Sequence, residues 1–181
     1  MGTLESIPLE GEDVLQGFDC GNASVNALVA ESFYPHLLKQ SRTYQVKLQN
    51  QTVGFYSLSV RGVSLLNSDA PVAEFYFKEP SFGAICLDYL AVDARIHGRG
   101  IGSAILHSVI TQARELAKDW PIRLFVLDAL REKVSWYRDR GFDALIRADL
   151  DKKTETVGMY LDLSSKEELD ALGAYTDDFF S

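Results

Sequence analysis

The strongest hydrophobic pattern is a nearly unbroken apolar run from Ala84 to Val92, closed by Asp93. Such a run predicts a central strand covered on both faces. Simple alternation along it places Cys86, Asp88, Leu90 and Val92 on one face and Tyr89 and Ala91 on the other. Downstream, Ile101, Ile105, Val109 and Leu116, widened by Leu106 and Ile110, keep a 3–4 spacing that predicts a helix from Ile101 to Lys118. Ile122–Leu127 reads as a second buried strand. A helix from about Leu130 to Arg140 should follow, stopped by Gly141, with Leu130, Val134 and Tyr137 on one face. Upstream, Thr43–Leu48 and Val53–Val60 form a hairpin about Gln49-Asn50-Gln51. Phe18 to Val29 reads as a turn feeding a helix, with Asn22 or Ser24 as N-cap, Val25, Leu28 and Val29 as its apolar stripe, and Pro35 ending or kinking it. Val72–Phe77, Phe142–Arg147 and Thr156–Leu163 read as strands. Residues 164–181 read as an acidic tail or short helix. The pattern is mixed α and β, with one domain over 1–163.

Composition narrows the classes. The chain has 181 residues, 46% hydrophobic and 24% charged, the arithmetic of one globular domain. Its 18 basic and 26 acidic side chains leave a net charge of −8, which argues against nucleic-acid or anionic-membrane partners. Cys20 and Cys86 lie far apart without neighbours at ligand spacing, so neither a disulfide framework nor a metal site is expected. No apolar run approaches the roughly 20 residues of a membrane span. The N-terminal residues lack a signal-peptide pattern, and a cytoplasmic location is the expectation.

The sharpest chemical feature joins the best strand to the best helix: Arg95-Ile-His97-Gly98-Arg99-Gly100-Ile101-Gly102-Ser103. A helix start has free N–H groups and about half a positive charge, and glycines let an anion approach the backbone. Arg95, His97 and Arg99 reverse the sign of the chain locally, which suits a phosphate. The loop lacks the Gly-Lys-Ser/Thr of a Walker loop, and Ser103 stands where a dinucleotide fingerprint needs its third glycine.

Together with Leu90-Ala91-Val92-Asp93 before it and Tyr137, Gly141 and Phe142 after it, the Arg95-x-x-Gly98-x-Gly100 spacing resembles the GNAT superfamily of acyl-CoA-dependent N-acetyltransferases. The resemblance spans roughly residues 42–162. Phe18-Asp-Cys-Gly-Asn22 further resembles a subgroup of short bacterial GNAT proteins, some of which are toxins that acetylate aminoacyl-tRNA. The resemblance implies an α+β, three-layer α/β/α fold: a mixed, mostly antiparallel sheet splayed into a V and flanked by helices. It implies acetyl-CoA as cosubstrate, with the pantetheine arm along Leu90, Ala91 and Val92. The pyrophosphate would sit on the N–H groups from His97 or Gly98 to Gly102, and the cofactor-binding residues of the loop and helix start would be Arg95, His97, Gly98, Arg99, Gly100, Ile101, Gly102 and Ser103. Asp128 and Arg131 are looser candidates for the cofactor groove. Many relatives pair, which leaves a homodimer open.

Two side chains are candidates for proton transfer. A free tyrosine has a pKa of about 10 and a thiol about 8.5, so Tyr137 could protonate a leaving thiolate at an uphill cost of roughly 2 kcal/mol. The competing role for Tyr137 is core packing. Asp88, a charge inside an apolar strand, could act as general base if burial raises its pKa; the competing role is an ion pair with a nearby arginine. The leading function is acetyl transfer to a primary amine of a small molecule or protein. Aminoacyl-tRNA is the alternative acceptor, with Lys39, Arg42, Lys47 and Arg61 as a candidate basic cluster, and a non-catalytic acyl-CoA-binding module is the third reading.

Overall fold

The computed structural model describes residues 3–65, 67–70 and 81–180; the strand expected over Val72–Phe77 lies outside them. Seven strands form one sheet: β1 (Leu4–Pro8), β2 (Arg42–Leu48), β3 (Gln51–Ser64), β4 (Ser81–Val92), β5 (Ile122–Leu130), β6 (Asp143–Ala144) and β7 (Thr156–Asp162). Their order is β1-β2-β3-β4-β5-β7-β6. Neighbours are antiparallel except β4 and β5, which are parallel. That one parallel pair requires a crossover, and the long helix α3 (Ile101–Ala117) supplies it. The helices α1 (Ala23–Ala30), α2 (Phe33–Leu37), α4 (Val134–Arg138) and α5 (Lys166–Phe180) complete the chain. None of the described helices is long and apolar enough to cross a membrane.

The core has two sides. Ile101, Ile105, Leu106, Val109, Ile110 and Ala113 of α3 pack with Ile85, Leu87, Phe125 and Leu127 on one face of the sheet. Val29 of α1 packs with Phe55, Tyr89 and Ala91 on the other. This is the layered, mostly antiparallel α+β architecture that the family resemblance implies.

Within β4 the alternation breaks. Ser57 faces Tyr89 and Leu58 faces Leu87, so Asp88 is an extra residue with no partner of its own on β3. A bulge of this kind reverses which face later side chains take. Ile85 and Leu87 point to α3 before it, and Leu90 and Val92 do so after it, whereas Cys86 lies on the opposite face. The expected sharing of one face by Cys86, Asp88, Leu90 and Val92 is therefore overturned.

Other expectations are also revised. Asn22 caps α1, accepting a hydrogen bond from the Val25 N–H at 3.0 Å. The helix ends at Ala30, however, before Pro35 is reached, and Pro35 sits inside α2, where a first-turn residue needs no N–H partner. Leu130 is the last residue of β5 and pairs with Thr156. A 3₁₀ turn at Arg131–Lys133 then separates it from a helix of five residues. The strand expected over Phe142–Arg147 shrinks to Asp143–Ala144, because Asp69 captures the Arg147 N–H at 2.7 Å and turns the chain away. The acidic C-terminal segment is the helix α5, begun by a capping box. The Ser165 hydroxyl accepts from the Glu168 N–H, and a Glu168 carboxylate oxygen accepts from the Ser165 N–H.

Gly54 faces Val92 across the β3–β4 pair, and a Cβ there would collide with the backbone carbonyl of Ala91. Gly54→Ala is expected to cost about 1–3 kcal/mol by overpacking, a fall of roughly 2–12 °C in Tm for a chain of this size. Gly62→Ala, whose Cβ would find only the Ser81 hydroxyl at 3.6 Å, is the control and should leave Tm within about 2 °C in thermal unfolding.

Candidate active site

The parallel pairing of β4 with β5 ends at Leu87 and Leu127, yet β4 runs on to Val92 and β5 to Leu130. Past that point the strands part. Leu90, Ala91 and Val92 keep β3 on one side, opposite Tyr56, Phe55 and Gly54. On the side toward β5 they carry no ladder, so the fork leaves strand backbone free to pair with an extended ligand.

The glycine loop hangs from the end of β4 and is braced on both sides. Asp93 accepts from the Arg95 N–H at 2.9 Å and holds the Arg95 guanidinium through three further contacts between 2.6 and 3.2 Å. Those hydrogen bonds hold the Asp93 carboxyl down at about 2. His97 donates from Nε2 to the Val92 carbonyl at 2.8 Å; an imidazole nitrogen facing a carbonyl must carry the proton. Gly98 and Gly100 both adopt left-handed φ, 76° and 77°, where other residues pay about 1–2 kcal/mol. Gly100 caps α3, and no side chain accepts from the first turn. The N–H groups of Ile101, Gly102 and Ser103 thus open onto the loop. Arg95 and His97 spend polar atoms on Asp93 and Val92, while Arg99 is exposed and has no ion-pair partner among the described residues. Backbone, more than side-chain charge, is what the loop offers an anion.

Tyr137 stands on α4, edge-on to Trp136 (centroids 4.8 Å apart) and to Phe142 (5.5 Å). Its hydroxyl makes no hydrogen bond to the described residues and is not sealed from solvent. Burial of the ring pushes the phenol up to about 12, so it stays protonated across the ordinary pH range. What holds α4 against the loop is a residue that sequence reading missed. Arg140 donates to the Ser103 hydroxyl at 2.7 Å and to the Trp136 carbonyl at 2.6 Å, and it stacks 3.9 Å above the Trp136 ring. Trp136 in turn lies against Gly102. Ser103 is therefore tied to Arg140, and the staple couples Tyr137 to the start of α3. No spacing rule joins residues 37 apart, so no local signal could have revealed it.

Asp88, the bulge residue, is partly buried on the face opposite α3. Its carboxylate accepts from the Ser59 hydroxyl (2.8 Å), the Ser57 hydroxyl (3.4 Å) and the Arg61 guanidinium (2.8 Å). Burial pushes its pKa up, against the pull of Ser59 and Arg61. The carboxylate is thus ion-paired with Arg61, the competing arrangement, while burial raises its proton affinity. Arg131 is spent elsewhere, clamping the carbonyls of Asp149, Leu150 and Thr154. Asp128 is exposed.

The Phe18–Asn22 segment braces the same loop from below. The Ala94 N–H donates to the Asp19 carbonyl at 3.0 Å. Asp19 also accepts from the Gly21 N–H and the Asn26 amide, and the Cys20 N–H donates to Asn26. Phe18 packs edge-on to Phe55 at 4.9 Å.

Comparison with known proteins agrees with this architecture. A family model described as "Acetyltransferase (GNAT) family" matches residues 19–142. A tRNA-acetylating toxin of Mycobacterium tuberculosis is 27% identical over 122 residues, covering 67% of this chain and 72% of the toxin. Among solved structures, one described as a bacterial toxin has a TM-score of 0.75 at 19% identity, covering 96% of this chain and 97% of its own. AtaT complexed with acetyl-methionyl-tRNAfMet has a TM-score of 0.71 at 22% identity, covering 92% and 97%. At these identities the structural likeness shows the fold.

Proposed function

The chain belongs to the acetyltransferase (GNAT) family, and from that premise we propose that its acceptor is the α-amine of an aminoacyl-tRNA. The coarser activity is that of an acetyl-CoA-dependent N-acetyltransferase. The observation that carries the acceptor is the sequence similarity to a tRNA-acetylating toxin over 72% of that protein's length. It moves the choice away from a small-molecule or protein amine, which nothing in the fork selects. The net charge of −8 argues the other way, but charge on the proposed acceptor side is arranged more favourably than the total. Exposed Lys39 and Arg42 precede or open β2, and Arg61 lies three residues past the partner of Arg42 on β3. Lys47 falls near the other end of β2 and does not belong to this group.

In the proposed mechanism the free edge of Leu90–Val92 pairs with the pantetheine arm, and the amides from Gly98 to Ser103 take the pyrophosphate. A free α-amine has a pKa of about 7.7–8.0 and arrives largely as ammonium at neutral pH. Asp88 takes its first proton. The neutral nitrogen forms a bond to the thioester carbonyl carbon, and a backbone N–H near Leu90–Val92 donates to the developing oxyanion. The C–S bond breaks, its electron pair goes to sulfur, and Tyr137 supplies that sulfur with a proton. The nitrogen's second proton restores the phenol, and Asp88 releases the first to solvent. The net products are the acetylated amine, free CoA and one proton.

The test is to incubate the protein with radiolabelled acetyl-CoA and a mixture of charged tRNAs, beside a panel of polyamines, amino-acid amides and basic peptides. Label should enter the tRNA fraction, depend on aminoacylation, and be lost when the ester is hydrolysed. Because Lys39 and Arg42 would neutralise phosphates, whereas Arg61 is already paired with Asp88, kcat/KM for tRNA should fall about 10-fold between 50 and 200 mM salt. Label entering only the small amines or peptides would refute the tRNA acceptor.

A further inference from the structure

Beside the start of α3 stands a positive charge that no carboxylate balances. Arg140 lies two residues past α4, half-buried, and has no ion-pair partner among the described residues. Its guanidinium is divided between two neutral acceptors instead. One nitrogen donates to the Ser103 hydroxyl oxygen at 2.7 Å and another to the Trp136 carbonyl at 2.6 Å. Its backbone N–H donates to the Tyr137 carbonyl at 2.9 Å. An arginine next to a helix start, where the backbone already carries about half a positive charge, is repelled unless an anion joins the two.

Ser103 shows where that anion fits. Because Arg140 donates to its oxygen, the hydroxyl must aim its own proton elsewhere, and that proton finds no acceptor among the described residues. The Ser103 N–H is open as well, since the first bond of α3 runs from the Ala104 N–H to the Gly100 carbonyl. A pyrophosphate oxygen that took both donors would polarise the hydroxyl and strengthen the Arg140 bond behind it, because hydrogen bonds in a chain reinforce one another. The pull would reach α4 through Trp136. Arg140 holds the carbonyl of that residue and stacks 3.9 Å from its ring centre, and the ring itself lies against Gly102 and edge-on to Tyr137. The Arg140 charge is also felt at the Tyr137 phenol, where it opposes the upward push of burial.

We propose that Arg140 is a positioning residue that ties the placement of Tyr137 to the presence of the cosubstrate, sensing the pyrophosphate through Ser103 and setting the tyrosine through Trp136. It rests on the proposed pyrophosphate seat and on proton donation by Tyr137, and it holds for any acceptor amine.

Two measurements on the full chain test it. The sequence has two tryptophans, so Trp120→Phe leaves Trp136 as the reporter. In that background Trp136 emission should change on saturation with CoA and stay constant with pantetheine, which lacks the diphosphate. Arg140→Met should abolish the CoA response and weaken acetyl-CoA about 5-fold by calorimetry, the reciprocal face of the same coupling. Ser103→Ala, which cuts the link from its other side, should abolish the response too, and it decides the matter if Arg140→Met does not fold. A response that survives either substitution, or an unchanged Kd in Arg140→Met, overturns the proposal.

The second measurement is CoA release at saturating acetyl-CoA with whichever amine is turned over. Arg140→Met should lower kcat about 10-fold, within the loss that a misplaced catalytic group can cause. In a Tyr137→Phe background the same substitution should cost less than about twofold, because the group it positions is gone. Equal losses in the two backgrounds would mean a general structural role and overturn the proposal. If Tyr137→Phe alone keeps kcat, proton donation by Tyr137 fails separately, and the Trp136 response still decides whether Arg140 links the cosubstrate to α4.

Discussion

Tyr137→Phe is expected to lower kcat by about 100- to 1,000-fold, within the range ascribed to a positioned general acid, while the Kd for acetyl-CoA changes less than threefold. The substitution removes one hydroxyl that has no protein partner, so it leaves no orphaned donor or acceptor behind and Tm should hold. The raised pKa shapes the chemistry. With the phenol at about 12 and a thiol near 8.5, proton transfer to the departed thiolate is uphill by about 3.5 units, or roughly 5 kcal/mol, and transfer ahead of C–S cleavage is costlier still. Tyr137 therefore acts by donating a hydrogen bond that strengthens as negative charge builds on sulfur, with the proton passing as the bond breaks. The sign of the pH dependence follows. A phenol with a folded pKa of about 12 remains competent at every pH below that, so the pH profile of kcat should show no alkaline loss from this group up to about pH 11. Folding stability linked to Tyr137 is complete below the unfolded value near 10 and is lost as pH rises toward 12; Tyr137→Phe should lack that part of the decline. CoA release at saturating substrates from pH 6 to 11 checks the rate prediction. A variant that keeps kcat within twofold of wild type rules out the role.

Gly100→Val should weaken acetyl-CoA binding on the order of 10- to 100-fold. Gly100 holds φ at 77° at the start of α3, and a non-glycine residue there costs about 1–2 kcal/mol. Relief of that strain would tilt the loop and redirect the N–H groups of Ile101, Gly102 and Ser103. A branched side chain would also overhang the donors that an anion needs. Space is not the obstacle to folding: a Cβ on Gly100 meets no heavy atom within 4 Å. The variant should thus fold with Asp93, Arg95 and the Arg140–Ser103 staple in place and bind poorly. Calorimetry with acetyl-CoA, beside thermal unfolding, separates the two effects. An unchanged Kd would mean that the pyrophosphate is not held at this helix start.

The features legible in the sequence are those that local chemistry dictates. The apolar run Ala84–Val92 suggests a central strand and is one, and the 3–4 spacing over Ile101–Lys118 predicts the helix that forms at Ile101–Ala117. Asn22 as a cap, the turn at Gln49-Asn50 with both residues at positive φ, and glycines at positions needing left-handed backbone are likewise residue-level properties. Where the reading failed, a neighbour from elsewhere decided. Pairing with Thr156 drew Leu130 into β5, and Asp69, far away in sequence, cut short the strand after Phe142.

The candidate site divides along the same line. Its parts were readable because helix starts, left-handed glycines and buried acids carry their chemistry with them. Their relation was decided only when strands met. A one-residue bulge turned Asp88 away from Leu90 and Val92, and the end of one parallel ladder opened a fork beyond Leu87 and Leu127. An arginine 37 positions away pinned the tyrosine helix to the glycine loop. Periodicity assumes an uninterrupted strand and knows nothing of the partner strand's register; a bulge is a property of the pair.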